Sequence, residues 1–383
     1  MFRTVPRDLH SLSRTRACRA IARLLIFLLV AQTFPFDALQ ARVTGGGGGG
    51  GAAEAQPAPT ILWVDGAGTC GGQTPCFATI QKAIDAVQSG QTIRILPGDY
   101  VEQLAIRQKN AKGSASERDR ITIEADPESP VGSVVLRGHK DRCEGGYGVD
   151  FDRSRYVTLR GLVISGAGLR GVVLRGGARQ NKGIRLERNK LYRGSTKECS
   201  GGIDVGRGNP ETVIANNILY ANGRNGLRFR DATGGSYLVV ENTIVRSGWN
   251  GIYITRAAKA RIWNNIIAYN GTAPGVQGNG RYGLKRQLIS SPRPQDVDLR
   301  NNLICGNTLG EIAGPVLDGA DAANQTPTGT EGPGVIASPT CATAAGLLLY
   351  GYRKQSGGGI YTDTEMEASR LGRLRSAVRS LFQ

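Results

Sequence analysis

The sequence predicts an all-β solenoid, a stack of strand coils running from about Ile93 to about Ile312. Three observations predict it. An asparagine recurs about every 25 residues, a glycine column recurs alongside it, and apolar and polar residues alternate in between. A period of that length, built from short strands and turns, is a pile of β-coils in which each coil buries its apolar face on its neighbours.

The asparagine is the second residue of Arg188-Asn189-Lys190-Leu191, Asn216-Asn217-Ile218-Leu219, Glu241-Asn242-Thr243-Ile244, Asn264-Asn265-Ile266-Ile267 and Asn301-Asn302-Leu303-Ile304. Its spacings are 28, 25, 23 and 37. A short β-rich run such as Tyr237-Leu238-Val239-Val240 precedes it. Five residues on come Asn222, Asn270 and Asn307, with Gly194 and Ser247 in the other two coils. The glycine column reads Gly148, Gly171, Gly202, Gly226, Gly251, Gly283 and Gly310. Period-2 alternation of Val, Ile, Leu and Tyr with polar residues disfavours a helical repeat. Stacked asparagines can hydrogen-bond along a solenoid and satisfy the backbone of its turns, so the column reads as a ladder and not as a site.

The N-terminal stretch lies outside the repeat. Arg3, Arg7, Arg14, Arg16, Arg19 and Arg23 precede the apolar run 24–31, which has the length of a signal-peptide core and is short for a membrane span. A signal over 1–41 ending at Ala41 is expected, and an uncleaved anchor is the alternative. Residues 42–59, with an unbroken glycine run at 45–51, have the composition of a flexible linker. The β-helix domain is expected over 60–341 and a tail over 342–383. In that tail Asp363 can cap a helix to about Leu381, with Leu371, Leu374, Val378 and Leu381 as its apolar stripe among arginines. This helix either packs on the solenoid or docks on an anionic surface.

Cysteine usage agrees with export to the periplasm or beyond the cell. Outside the signal, which holds Cys18, there are six: Cys70, Cys76, Cys143, Cys199, Cys305 and Cys341. An even set in an exported chain reads as disulfides. Fifteen connectivities are open, and pairing of sequence neighbours is the simplest. No CxxC or Cys/His cluster suggests zinc. The two histidines are His10, in the signal, and His139, so chemistry that needs a histidine pair is excluded. The formal net charge is +17, of which the signal carries +4, leaving +13. Such a surplus favours polyanions, and export points away from nucleic acid toward acidic polysaccharide. A monomer is expected. The alternative is that the arginines merely solvate an elongated surface.

The entry stretch 74–84 (TPCFATIQKAI) followed by 90–100 (GQTIRILPGDY) resembles the start of members of the pectate-lyase-like right-handed parallel β-helix superfamily. The resemblance covers about Trp63 to Ile312. It implies a right-handed parallel β-helix with an amphipathic helix plugging its N-terminal end. Ile80, Ala83, Ile84 and Val87 share one face of such a helix. A plug is physically needed, because an open solenoid end exposes strand edges and apolar core. The superfamily includes lyases, hydrolases, epimerases and esterases as well as proteins of no known activity, so the resemblance speaks to fold and not to one reaction.

Alternation also places the candidate site. If Val149/Phe151, Val172/Leu174, Ile203/Val205, Leu227/Phe229 and Ile252/Ile254 point inward, the residue between each pair points outward. That outward column reads Asp150, Val173, Asp204, Arg228, Tyr253 and Lys285. The next reads Asp152, Arg175, Gly206, Arg230, Thr255 and Gln287. The resemblance implies that such a face binds sugar chains. Arg228 and Lys285 can hold uronate carboxylates, with Asp204, Arg230 and Asp150 completing the binding stripe. For β-elimination the cations neutralise the carboxylate and a base removes the acidified proton. Tyr253, its phenol lowered by two flanking cations, or Lys285 is the expected base, and Arg228 only if strongly perturbed. The alternative is an ordinary β-face with cross-strand pairs such as Asp204–Arg228.

No cofactor is expected. The calcium-dependent lyases of the superfamily cluster acidic ligands, whereas cations surround Arg224, Asn225 and Arg228 here. Asp150 and Asp204, two coils or about 9.5 Å apart, are too distant to share one Ca²⁺. A hydrolase using Asp150 and Asp152, about 6.7 Å apart on one strand, ranks below the lyase. Two functions therefore stand: an exported enzyme acting on an acidic polysaccharide, or a non-catalytic envelope or extracellular β-helix that binds carbohydrate or serves as structure.

Overall fold

The computed structural model describes residues 61–138, 146–192, 201–230, 234–255, 259–273, 280–287 and 297–314. Eight coils run from Thr92–Ile95 to Gly310–Ala313, and each adds one strand to each of three parallel sheets. The first sheet has ten strands, because Ile61–Val64 and Cys76–Phe77 extend it beyond the first coil. The expected signal, linker and C-terminal helix fall on residues outside those described. Among those residues no helix is long and apolar enough to cross a membrane.

Inward residues of all three sheets merge into one continuous core, from Leu62 to Ile304. The helix Ile80–Ala86 closes its N-terminal end, burying Ile80, Ala83 and Ile84 as their spacing requires. Thr79 caps the helix by accepting from the Lys82 amide, and Glu102 accepts from the Ile80 and Gln81 amides, both at 2.9 Å. The Gln81 side chain takes the place of a missing neighbour strand. Its amide donates to the Ala105 carbonyl at 3.2 Å and accepts from the Ala105 N–H at 2.8 Å. The first strand edge of the third sheet is thereby satisfied instead of left open.

The asparagine ladder is continuous and buried. Each side-chain amide of Asn189, Asn217, Asn242 and Asn265 donates to the Oδ1 of the next rung at 2.9–3.2 Å, as far as Asn302 among the described residues. The same Oδ1 accepts the preceding rung's backbone N–H at 2.9–3.0 Å. The residue before each rung takes a left-handed conformation, with φ of 52–59°. The corner turns there, and the ladder satisfies the groups it exposes. A second ladder runs Ser247, Asn270 and Asn307, and Glu311 accepts from Asn307 Nδ2 at its end. A third, not evident from the repeat, links Ser154, Asn181 and Asn209 at another corner. The glycine column has a steric cause. A Cβ on Gly202 would meet the Gly226 carbonyl oxygen at 2.4 Å, and one on Gly251 would meet that of Gly283 at 2.6 Å. Cys70 and Cys76 form a disulfide, and Cys305 is also disulfide-bonded. Cys143, Cys199 and Cys341 lie outside the described residues.

Candidate functional site

The third sheet turns its outer side chains to solvent because their neighbours along each strand lie in the core. Strand pairing sets Asp150 beside Val173, then Asp204, Arg228, Tyr253 and Lys285, in successive coils. Despite the insertion at 272–281, Lys285 pairs directly with Tyr253.

The column differs from the open stripe expected of it. Asp150 is only 7% exposed and Asp204 only 2%, and Val173 is buried between them. Arginines from adjoining positions fold over the carboxylates, which alternation alone cannot foresee. Arg170 Nε and Arg228 Nη2 both donate to Asp204 Oδ2, at 2.8 and 2.6 Å, and Arg230 Nε stands 3.8 Å from Oδ1. Arg175 grips Asp150 with two bonds of 2.8 and 2.9 Å, and Arg107 lies 4.0 Å away. Asp152 sits between Arg153 at 3.2 Å and Arg179 at 3.4 Å.

Seven arginines thus surround three buried aspartates, a surplus of four positive charges on one face. The acids lie inside and the guanidinium groups outside. The side chains of Arg107 and Arg230 are 62% and 55% exposed. A buried carboxylate that grips a planar guanidinium fixes its direction, so it presents a prepared fork to an anion. Between Asp204, Arg170, Arg224 and Arg228 lies a nick of about 10 Å³, room for one water. Arg224 stacks on the Trp249 ring at 4.0 Å, placing an aromatic surface beside the arginines. Burial alone would raise the Asp204 carboxyl, but Arg228 and Arg170 hold it below the ordinary carboxylate range.

The three proposed catalytic groups separate clearly. Arg228 Nη2 is engaged by Asp204 Oδ2. Tyr253 donates its hydroxyl proton to Gln287 Oε1 at 2.9 Å. Its phenol was expected to be lowered by flanking cations, but burial raises it and the pull of Arg228 does not compensate. Tyr253 therefore keeps its proton at neutral pH. Burial pushes the Lys285 ammonium down, toward a neutral amine, while its Nζ lies 5.1 Å from the Tyr282 ring centre. The Asp150–Asp152 pair is not disposed as a hydrolytic acid and base, since both carboxylates are buried and ion-paired. Among the described residues no three His, Cys, Asp or Glu side chains are grouped to hold a metal.

Arg170 and Trp249 escaped the sequence reading. Period-2 counting from the inward Val172 and Leu174 turns Arg170 inward, so alternation does not place it over Asp204. Trp249 lies in a turn, where no period applies. The pairing of Arg224 with Trp249, 25 residues apart and one coil on, is the signal that could have found it.

Residues 133–310 match the family model described as a right handed beta helix region. With the three parallel sheets, this gives the chain a right-handed parallel β-helix fold. The backbone is similar to that of pectate lyase Pel9A, at 15% identity and a TM-score of 0.46, over 65% of this chain and 64% of that one. It is also similar to a rhamnogalacturonan lyase, at 17% identity and 0.45, over 65% and 69%. A third likeness is the A-module of the Azotobacter vinelandii mannuronan C-5 epimerase AlgE4, at 17% and 0.42, over 62% and 70%. The chain spans just under two thirds of the length of Pel9A. No curated protein matches in sequence. Identities this low bear on fold alone.

Proposed function

We propose that this chain is an exported β-helix protein whose third sheet binds an acidic polysaccharide. The observation that carries the reading is the face of seven arginines around three buried aspartates. A rigid parallel sheet holds them, so a polyanion finds its partners already placed. Tyr253 and Trp249 supply aromatic surface beside the cations, which suits a sugar ring. Arg230→Ala should weaken binding of uronate oligosaccharides without unfolding the chain, because its side chain is more than half exposed. Added salt should weaken binding further, since exposed charges are screened. Isothermal titration with pectate, alginate, hyaluronan and chondroitin oligosaccharides tests this. Equal binding by parent and variant would remove the face from consideration.

A second, catalytic reading rests on Lys285. Burial lowers its ammonium from the ordinary value, and strand register sets it beside Tyr253, which in turn lies beside Arg228. In β-elimination Lys285 would take the proton beside a carboxylate held by Arg228 and Arg230, and the leaving-group oxygen would take one from the still protonated Tyr253. New ultraviolet absorbance from unsaturated uronates should then appear, and Lys285→Met should abolish it while leaving binding measurable. Absence of that absorbance with all four polymers, with and without Ca²⁺, would leave the binding protein as the function.

Export has its own test. The Cys70–Cys76 disulfide and the bonded Cys305 favour an oxidising compartment. Thiol titration of the denatured, unreduced mature chain should find almost no free thiol. Two or more per chain would contradict export with paired cysteines.

A further inference from the structure

At its first coil the outer face of the third sheet runs into a hollow. Gln81 of the capping helix holds the Ala105 backbone where a preceding coil would pair. Ala105 and Arg107 are the outward residues of the strand Leu104–Arg107. With Gln103, Lys109, Gln81 and Asp85 they line an open cavity of about 450 Å³. Sites for small molecules measure roughly 300–1,000 Å³. The short side chain of Ala105 keeps the floor low. Gln81 and Asp85, one turn apart on the helix and joined by a bond of 2.8 Å, form the end wall. Lys109 Nζ donates to the carbonyls of Asp85 and Val87, at 3.2 and 3.4 Å, and ties that wall to the first coil. Arg107 stands 4.0 Å from Asp150, the carboxylate that Arg175 also grips, so the hollow continues the arginine face.

The two ends of the hollow differ in chemistry. Arg107, with its side chain 62% exposed, suits a sugar carboxylate. Asp85 is exposed and, as a carboxylate, only accepts hydrogen bonds, so it suits hydroxyls and repels a second carboxylate. In a glycan the oxygen of a linkage position carries a proton only at a chain end. We infer that the hollow receives the terminal sugar of a uronate chain. Its carboxylate lies on Arg107, its unlinked hydroxyl donates to Asp85, and the rest of the chain crosses the arginines of the later coils. A face without an end wall would take a polymer at any point along its length, whereas the helix gives this one a single register. This inference rests on the polysaccharide reading above and states which part of the polymer is held.

The test takes whichever of pectate, alginate, hyaluronan and chondroitin binds tightest, as a hexasaccharide and as the long polymer. Isothermal titration on the full mature chain is run at physiological ionic strength, where loose charge contacts are screened. One protein should bind per chain end, so the number bound per chain should not rise with chain length. Two modified hexasaccharides distinguish the ends: one reduced to the alditol, the other with a 4,5-unsaturated sugar that lacks the terminal hydroxyl. One of them should bind about tenfold more weakly than the plain hexasaccharide, and the other should match it. Asp85→Ala, and Ala105→Phe, which fills the hollow, should each weaken the plain hexasaccharide by a similar factor. Neither residue belongs to the core, and thermal melts check that both variants fold. Binding per chain that rises with length would overturn the end site and leave the polysaccharide reading intact. So would a hexasaccharide affinity that neither end modification nor Asp85→Ala changes. If none of the four polymers binds, the polysaccharide reading itself fails and the end site with it.

Discussion

Asp204→Ala should cost about 3 kcal/mol of stability. The carboxylate is 2% exposed and neutralises Arg170 and Arg228, whose own side chains are only 15% and 18% exposed. Removing it leaves two guanidinium groups close together, largely out of water and without their shared acceptor. An exposed ion pair would contribute far less, because water would replace the partner. Asp204→Asn keeps the shape but not the charge and should fall between parent and alanine. Urea titration of the three proteins checks this, with an alanine midpoint equal to the parent's as the contrary result. The same pair makes stability depend on pH. Arg228 and Arg170 overcome burial and lower the Asp204 carboxyl from its ordinary 3.8. Its contribution is therefore complete above that ordinary value and is lost as pH falls through the lower folded one. The parent should lose more stability than Asp204→Asn across that acid window.

Loss of Asp204 should also change the binding face. Arg228 and Arg170 are directed by this carboxylate, so their release disorders the fork that would meet an anion. Arg230 stands farther off at 3.8 Å and keeps its exposure. The arginines are thus positioned by acids that no ligand touches, and the acids are needed although their charge opposes an anionic ligand.

The fold was legible because its signals are periodic. Asn189, Asn217, Asn242, Asn265 and Asn302 recur at one corner, and each is a rung in the structure. Alternation about Leu227 and Phe229 was enough to turn Arg228 outward, and the pairing with Asp204 and Tyr253 followed from register. What alternation cannot convey is depth. It states which side of the sheet a residue leaves, not what then covers it. Asp150 and Asp204 leave on the outer side and are nonetheless buried, because arginine side chains are long enough to lie across them. The phenol of Tyr253 was misjudged for the same reason, since partial burial outweighs the nearby charge. The ladder of Ser154, Asn181 and Asn209 went unseen because its rungs share no flanking motif.

Asn217→Leu should destabilise the solenoid by about 3 kcal/mol, since it leaves several buried groups unpaired at roughly 1–3 kcal/mol each. Asn217 Oδ1 accepts from both the backbone and the side chain of Asn189, at 2.9 and 3.2 Å. Its Nδ2 donates to the Leu186 carbonyl at 2.7 Å and to Asn242 Oδ1 at 3.0 Å. Leucine keeps the branched heavy-atom skeleton of asparagine, with methyl groups in place of the amide oxygen and nitrogen, so the cost arises from lost partners and not from a cavity. Water cannot replace them, because the rungs on either side, Asn189 and Asn242, are 2% and 0% exposed. A thermal melt of the variant beside the parent measures that cost. A melting temperature unchanged by Asn217→Leu would show that the ladder follows the fold without supporting it.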